Sequence, residues 1–323
     1  MSQSIHFDPF KGEEFDPRKR ESSFFVIPEK TENIILRLKL LLATPTFIDG
    51  VDMSHWNNER DFQKIRNSGI DFVILKATEG TGFKDATFDP SWRNALDNDL
   101  AVMPYHFFRS NYGGSVQVKW CLDNIQDFLS TVNGKTIIWN DVETSDGASI
   151  SQRQNRLLAS HQTFSANGFK SGNYSSPYLW NLLVGNVPWA NDYLQWVAHW
   201  TSAGEPILPL GWSREKTKFW QYGIYPTYSW AKKVEGAGTV DVNRFYGTVK
   251  ELYELLGVVA PPMDCCEEIR AEINRLDDTI RFIKGELGSL NQRVDLTEHD
   301  VVMINQDMAE IDRIILEVKK IFC

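Results

Sequence analysis

Two carboxyl side chains one residue apart, Asp141 and Glu143 in the run IIWNDVE, are the sharpest chemical signal in the sequence. Side chains alternate along a strand, so residues two apart point the same way. At a strand end the pair would face one space, and like charges held that close push one pKa upward. A protonated acid beside an ionised carboxylate is the equipment of glycoside cleavage. One group protonates the leaving oxygen, and the other stabilises the oxocarbenium-like centre. An isolated D-x-E more often caps a helix or pairs with a lysine, so the pair needs support. Asp52 in GVDMS and Asp241 in TVDVN supply it. Each follows an apolar, strand-like run, where an unused charge is costly. All eleven Trp lie between Trp56 and Trp230. Indole faces stack on sugar rings, and the competing reading is that they fill a large core.

Those acids must be positioned by something regular. From about Phe47 to Gly257 short apolar runs alternate with amphipathic stretches. FIDGVDMS, DFVILKAT, LAVMPYHFF, KTIIWNDVE and FKSGNYSS are predicted strands, as are DYLQWVAHW, TKFWQYG and the segment around Val240–Val242. Helices are predicted over Glu59–Ser68, Phe88–Asp99, Val116–Ser130, Ser151–Asn167 and Pro177–Leu183. This alternation points to parallel βα units, and its length favours a closed (β/α) barrel over an open sheet. In such barrels the active site lies at the C-terminal ends of the strands, which is where the four acids are expected. The glycine-rich ATEGTG (Ala77–Gly82) lacks the Lys-Ser/Thr ending of a phosphate loop, so a turn at the groove rim is expected there. His55 and His106 also fall near strand ends, and each is read as a hydrogen-bonded structural residue before a catalyst.

A series of motifs now bears on identity. GVDMSHWN (Gly50–Asn57), FVILKATEGTGFKD (Phe72–Asp85), the Phe88–Trp92 segment and VMPYHFFR (Val102–Arg109) follow one another. IIWNDVE (Ile137–Glu143), GNYSS (Gly172–Ser176), FWQYG (Phe219–Gly223) and VDVNRF (Val240–Phe245) come next. In this order, over about residues 48–257, the chain resembles the family 25 glycoside hydrolases, the muramidases often called Chalaropsis-type lysozymes. The resemblance implies a flattened, TIM-like α/β barrel of eight strands with an incomplete set of helices. It implies hydrolysis of the β-1,4 bond from N-acetylmuramic acid to N-acetylglucosamine, without a cofactor. It makes Glu143 the general acid, Asp141 its partner carboxylate, and Asp52 and Asp241 two further active-site acids. Tyr105 and Trp220 fall where the family places aromatic groove residues, and Tyr222, Tyr174 and Trp196 are taken as further substrate-binding aromatics. The residues before the D-x-E depart from expectation: Trp139 and Asn140 stand where smaller or plainly apolar ones would, a change expected to narrow the groove or alter neighbouring subsites without removing a catalytic group. Asp141 has two open roles, a nucleophile or the group that orients the substrate's own 2-acetamido oxygen, and the second is favoured because muramic acid carries that group.

The flanks are different in kind. Residues 1–45 are punctuated by proline and are read as an arm or docking segment, 46–258 as the hydrolase barrel, 259–266 as a Pro/Cys linker and 267–323 as a coiled-coil stalk. In the stalk one seam reads Ile273, Ile280, Leu287, Val294, Val301, Met308, Ile315 and Phe322. The other reads Ile269, Leu276, Ile283, Leu290, Thr297, Ile304, Ile311 and Val318. A strict seven-residue repeat rich in Ile points to a homo-oligomer, a parallel trimer being favoured. Cys265, Cys266 and Cys323 flank it, Cys121 stands alone, and the four make no disulfide framework or metal-binding spacing. A net charge of −9 disfavours nucleic acid as a partner. The apolar stretch Ile34–Ala43 is too short to span a membrane. With no signal peptide at the start, the stalk suggests a lysozyme carried on a phage tail, in contact with tail proteins. Two other readings compete. A barrel that only binds glycan as a structural component would have lost an acid, and all four are present. A chitinase-type enzyme would carry more alternating acids before its final Glu than the lone Asp141.

Overall fold

The computed structural model describes residues 47–258 and, near the N-terminus, the backbone of His6–Phe7 and Glu14–Phe15. The chain divides into two units, Met1–Thr44 and Pro45–Cys323. In the first, His6–Phe7 and Glu14–Phe15 pair antiparallel. The expected arm is otherwise outside the described residues, as are the linker, the heptad stalk and the three cysteines that flank it.

Within the second unit eight strands close into a barrel. In chain order they are β1 (Phe47–Met53), β2 (Phe72–Glu79), β3 (Ala101–Phe107), β4 (Ile137–Asp141), β5 (Lys170–Ser175), β6 (Leu194–Ala198), β7 (Thr217–Tyr225) and β8 (Val240–Tyr246). Neighbours run β1-β8-β7-β6-β5-β4-β3-β2, and a β1–β2 pairing closes the ring. A short strand, Phe83–Lys84, pairs back onto the end of β2. All barrel pairings are parallel except those of β8, which is antiparallel to both β7 and β1. The helices are α1 (Phe62–Asn67), α2 (Phe88–Asp97), α3 (Gly114–Thr131), α4 (Ile150–Ala166), α5 (Pro177–Leu183) and α6 (Val249–Leu256). Loops replace a helix after β6 and after β7 apart from one 3-10 turn before β6, so the helical ring is incomplete. The α/β barrel class expected from the sequence is therefore the observed one. Among the described residues no helix is long and apolar enough to cross a membrane.

Local chemistry sets the helix starts close to the predicted places. Ser149 and Gln152 form a reciprocal capping box at α4, Ser176 caps α5 with Pro177 in its first turn, and Thr248 pairs with Glu251 at α6. The α6 helix was not expected from the sequence.

Two apolar layers follow from strand alternation. One contains Val51, Val73, Leu75, Val102, Ile138 and Val197 together with buried residues of α1 to α5. It is the layer between barrel and helices. The other contains Ile48, Phe72, Ile74, Met103, Trp139, Trp196, Phe219 and Phe245, with Leu252 and Leu256 of α6. It fills the barrel interior, with α6 packed against it. Trp139 lies in this inner layer, fully buried, edge-on to Trp196 at 5.7 Å and to Phe219 at 5.0 Å between ring centroids. It does not narrow a groove. Its room comes from the next strand: a Cβ on Gly172 would sit 2.3 Å from the indole ring. The departure noticed at Trp139 and Asn140 is thus a packing feature of the barrel.

Candidate active site

The interior parity that places Ile48, Trp139 and Phe245 in the core continues along each strand to its polar end. It turns Asp52, Asp141, Asn243 and Gln221 to the same side as the core. Asp52 and Asp241 are direct partners across the antiparallel β1–β8 pair. Asp241 therefore stands at the start of β8, not at a strand C-terminus as expected. The reversal of β8 is what brings it to the same rim as the others. Glu143 lies two residues beyond Asp141, just past the end of β4.

The four acids interact with one another. Asp52 is held by two amides: Gln221 Nε2 donates to its Oδ2 at 2.9 Å and Asn243 Nδ2 at 2.8 Å. The amides are themselves fixed from below and from the rim. Trp196 Nε1 donates to Asn243 Oδ1 at 2.8 Å, and Tyr174 Oη and Trp200 Nε1 donate to Gln221 Oε1 at 3.0 and 2.9 Å. Burial, followed by the charge of Asp241, pushes Asp52 well above the usual carboxylate range despite those donors. Burial and then Glu143 push Asp141 well up as well. Burial raises Glu143 too, opposed by its hydrogen bond with Asp141 and by the charge of Lys76. Asp241 is pushed up to about 6 by burial and then by Glu143. Asp141 is 5 % exposed, and its Oδ1 has no hydrogen-bond partner among the described residues. A cluster of this kind keeps its protons to higher pH than free carboxyl groups do and offers one bare, buried acceptor.

The aromatic assignments divide. Tyr105 belongs to the site: it is register partner of Trp139 and Lys76, it bonds to Ser54, and burial together with Asp141 and Asp52 raises its hydroxyl pKa. Tyr174 and Trp196 lie beneath it as buried holders of Gln221 and Asn243, and so support the acids without lining an open groove. Trp220 and Tyr222 are corrections. They alternate with inward Phe219 and Gln221, so they face the layer between barrel and helices, 1 % and 2 % exposed. Trp220 Nε1 donates to the carbonyl of His199, and the Arg244 guanidinium lies 4.3 Å from the Tyr222 ring.

Sequence reasoning missed Gln221, Asn243 and Trp200. Gln221 and Asn243 sit inside FWQYG and VDVNRF, and counting by twos from Asp241 would have found Asn243. Trp200 is half exposed and lies tilted against Tyr228, at 6.1 Å between ring centroids, and Tyr228 is itself stacked on Trp230 at 4.6 Å. These rings form an exposed aromatic rim joined to Asp52 through Gln221. Both histidines are hydrogen-bonded, as expected. His55 Nδ1 lies 2.7 Å from Asp85 Oδ2. His106 is buried on the outer face between Thr78 and Gln117, and burial lowers it to about 4.

Concentrating acids costs stability at neutral pH. Asp241 has an ordinary value of 3.8 and a folded value of about 6. The fold therefore favours its neutral form. The stabilisation this gives is complete below pH 3.8 and is lost as pH rises through about 6. Asp241→Asn is expected to be more stable than wild type at pH 7, by on the order of 2 kcal/mol, and no more stable at pH 4. Urea unfolding followed by tryptophan fluorescence checks this, because every Trp lies in the barrel. A gain independent of pH would contradict it.

Comparison with known proteins agrees with the architecture. The family model described as glycosyl hydrolases family 25 matches residues 51–227 of the 323. Lysozyme M1 of Streptomyces globisporus is 29% identical over 232 residues, 66% of this chain and 72% of that protein. The N,O-diacetylmuramidase of Arthroderma benhamiae is 28% identical over 210 residues, 61% of this chain and 86% of that protein. The crystal structure of a lysozyme from Streptomyces coelicolor superposes with a TM-score of 0.55 at 27% identity, covering 65% of this chain and 96% of that one. With a closed eight-stranded barrel, acids gathered at one rim and a family match over more than half its length, this chain belongs to the family 25 glycosyl hydrolases and is a glycosidase.

Proposed function

We propose that this glycosidase cuts the β-1,4 bond between N-acetylmuramic acid and N-acetylglucosamine in bacterial peptidoglycan, with Glu143 as general acid and Asp141 as its partner. The observation that carries this reading is the buried, unpartnered Oδ1 of Asp141 beside Glu143. A buried acceptor left without a donor costs about 1–3 kcal/mol. The amide N–H of a 2-acetamido group is a donor of the right kind. The named activities of the related lysozyme and muramidase support the same substrate.

The chemistry follows in two steps. Asp141 Oδ1 accepts a hydrogen bond from the acetamido N–H and turns the acetamido oxygen towards the anomeric carbon. That oxygen bonds to the anomeric carbon as the bond to the leaving oxygen breaks, and Glu143 passes its proton to the leaving oxygen. Water then attacks the anomeric carbon and returns a proton to Glu143, and the acetamido group is released with net retention. Burial raises Asp141 strongly and Glu143 also. The new N–H donor favours the charged form of Asp141, and the charged Asp141 in turn keeps a proton on Glu143. Binding of the correct sugar thus sets the protonation pattern that cleavage requires. Asp241, raised to about 6, adds negative charge near the developing positive centre at neutral pH, Asp52 is held beside it by its two amide donors, and Tyr105 borders the reacting ring.

The variants have distinct expected outcomes. Glu143→Gln retains the fold and loses about 10²–10⁴ in turnover, the range for a general acid. Asp141→Asn loses about 10²–10³, and the basic limb of its pH–rate profile moves to lower pH because the neighbouring charge is gone. Lysis assays across pH on folded protein measure both. Near-normal turnover of Glu143→Gln, or a stationary basic limb in Asp141→Asn, contradicts the assignment.

The heptad seams from Ile269 to Phe322 support a second element of the reading: an assembly of chains, most simply a parallel trimer, that delivers the barrel on a larger particle such as a phage tail. Light scattering is expected to give a trimer mass for the full chain and a monomer mass for a chain ending at Gly257. A full-length monomer at micromolar concentration ends the assembly proposal and leaves the enzymatic one intact.

A further inference from the structure

The motif ATEGTG remains unexplained by the cleavage chemistry. Its Glu79 is the centre of an ion chain. Lys76 Nζ lies 2.9 Å from Glu79 Oε2, and Arg109 Nη1 lies 3.2 Å from Glu79 Oε1. The other arm of Arg109, Nη2, reaches Asp146 Oδ1 at 2.8 Å. Asp146 accepts on Oδ2 from the Ser110 amide at 2.6 Å and from the Thr144 hydroxyl at 2.9 Å, while Ser110 Oγ donates to the Thr144 carbonyl at 3.1 Å. Both ends are shielded from water, with the Lys76 side chain 8% exposed and that of Asp146 6%.

The chain is built into the backbone. Gly80 has φ +52°, and a Cβ there would lie 3.1 Å from Arg109 Cγ and from the Tyr112 ring. The glycine of the motif therefore opens the seat that Arg109 occupies. Gln117 fixes Arg109 from the other side, accepting from its amide at 3.0 Å and donating to its carbonyl at 3.2 Å. The Lys76 ammonium lies 4.7 Å from the Phe107 ring, and Phe107 is the register partner of Asp141.

We propose that the chain Lys76–Glu79–Arg109–Asp146 positions the acid pair: its Asp146 end fixes the backbone immediately after Glu143, and its Lys76 end supplies the counter-cation of Asp141 and Glu143. These are positioning residues, and the proposal rests on the reading of Asp141 and Glu143 as the reacting pair. Lys76 favours the charged form of both carboxyls, whereas Glu79 acts on Asp141 in the opposite sense. The remaining groups that face the pair are Asp52 on β1, Asp241 on β8, Tyr105 on β3 and Tyr174 on β5. None of these carries a positive charge, and among the described residues Lys76 is the cation that acts on both members of the pair.

Opposite signs make the test. Removing the cation raises the pKa values of the pair, so Lys76→Met is expected to move both limbs of the kcat/KM pH profile to higher pH, by about half a unit or more. Lys76→Arg is expected to restore them. Glu79→Gln removes a negative charge and frees Lys76, so both limbs are expected to move to lower pH. Asp146→Asn loosens the segment after Glu143 and is expected to lower kcat about tenfold to a hundredfold with KM unchanged and both limbs in place. All are measured on the full chain with peptidoglycan, beside wild type and Glu143→Gln. If Lys76→Met does not fold, Glu79→Gln and Lys76→Arg carry the test. Stationary limbs in folded Glu79→Gln, or movement in the same direction as Lys76→Met, overturn the chain as a positioning device. Inactive wild type or active Glu143→Gln instead overturns the underlying assignment of the pair.

Discussion

Four carboxyl groups share the mouth of one closed barrel, and the rest of the site is organised around their mutual repulsion. In water like charges at this spacing would be screened and would separate. Here the strand ladder fixes them: Asp52 opposite Asp241 in register, and Asp141 one inward step before Glu143. Burial disfavours their charge, Asp241 raises the pKa of Asp52, and Glu143 raises those of Asp141 and Asp241. Such a cluster is tolerated only if each member is treated differently. Asp52 receives two amide donors, Glu143 is bonded to Asp141, Lys76 offsets the charge of the pair, and Asp141 keeps one acceptor bare. The asymmetry gives one cluster both a proton donor and an acceptor.

Support for this asymmetry comes from both faces of the sheet. On the inside, Trp196 and Tyr174 orient the amides that hold Asp52. On the outside, Thr78, His106, Asn140, Asn173 and Gln195 form one rank of buried polar residues, each the register partner of the next. Ser160 reaches Asn140 and His161 reaches Asn173, each at 2.8 Å, which ties α4 to the strands that carry Asp141 and Tyr174. These hydrogen bonds fix the side-chain oxygens of Asn140 and Asn173, while their Nδ2 atoms are buried without a partner among the described residues. The barrel therefore holds the acid pair from the core below, the helical layer outside and the ion chain at the rim.

The sequence made the barrel legible because its strands and helices differ in period and its helix starts carry strong caps. The acids were legible because carboxylates after apolar runs are rare without a use. What escaped was the direction of individual side chains near the mouth. Trp220 and Tyr222 drew attention as aromatics, yet alternation hands the inward place to Gln221 between them. On β7 the expected pattern is inverted at that height: the inward Gln221 is polar, and its outward neighbours Trp220 and Tyr222 belong to the apolar layer. Trp139 misled for a related reason: its space is made by Gly172 on another strand, a pairing visible only once the register is known. The reversed direction of β8, which brings Asp241 to the rim, left no local trace in TVDVN.

The bond that is cut tests the central claim most directly. After digestion of purified peptidoglycan by the full chain, the new reducing ends are labelled by borohydride reduction and identified by mass spectrometry. Cleavage at the site proposed here gives muramic acid at every new reducing end. N-acetylglucosamine at those ends, or release of peptides without new reducing sugar, would contradict the account.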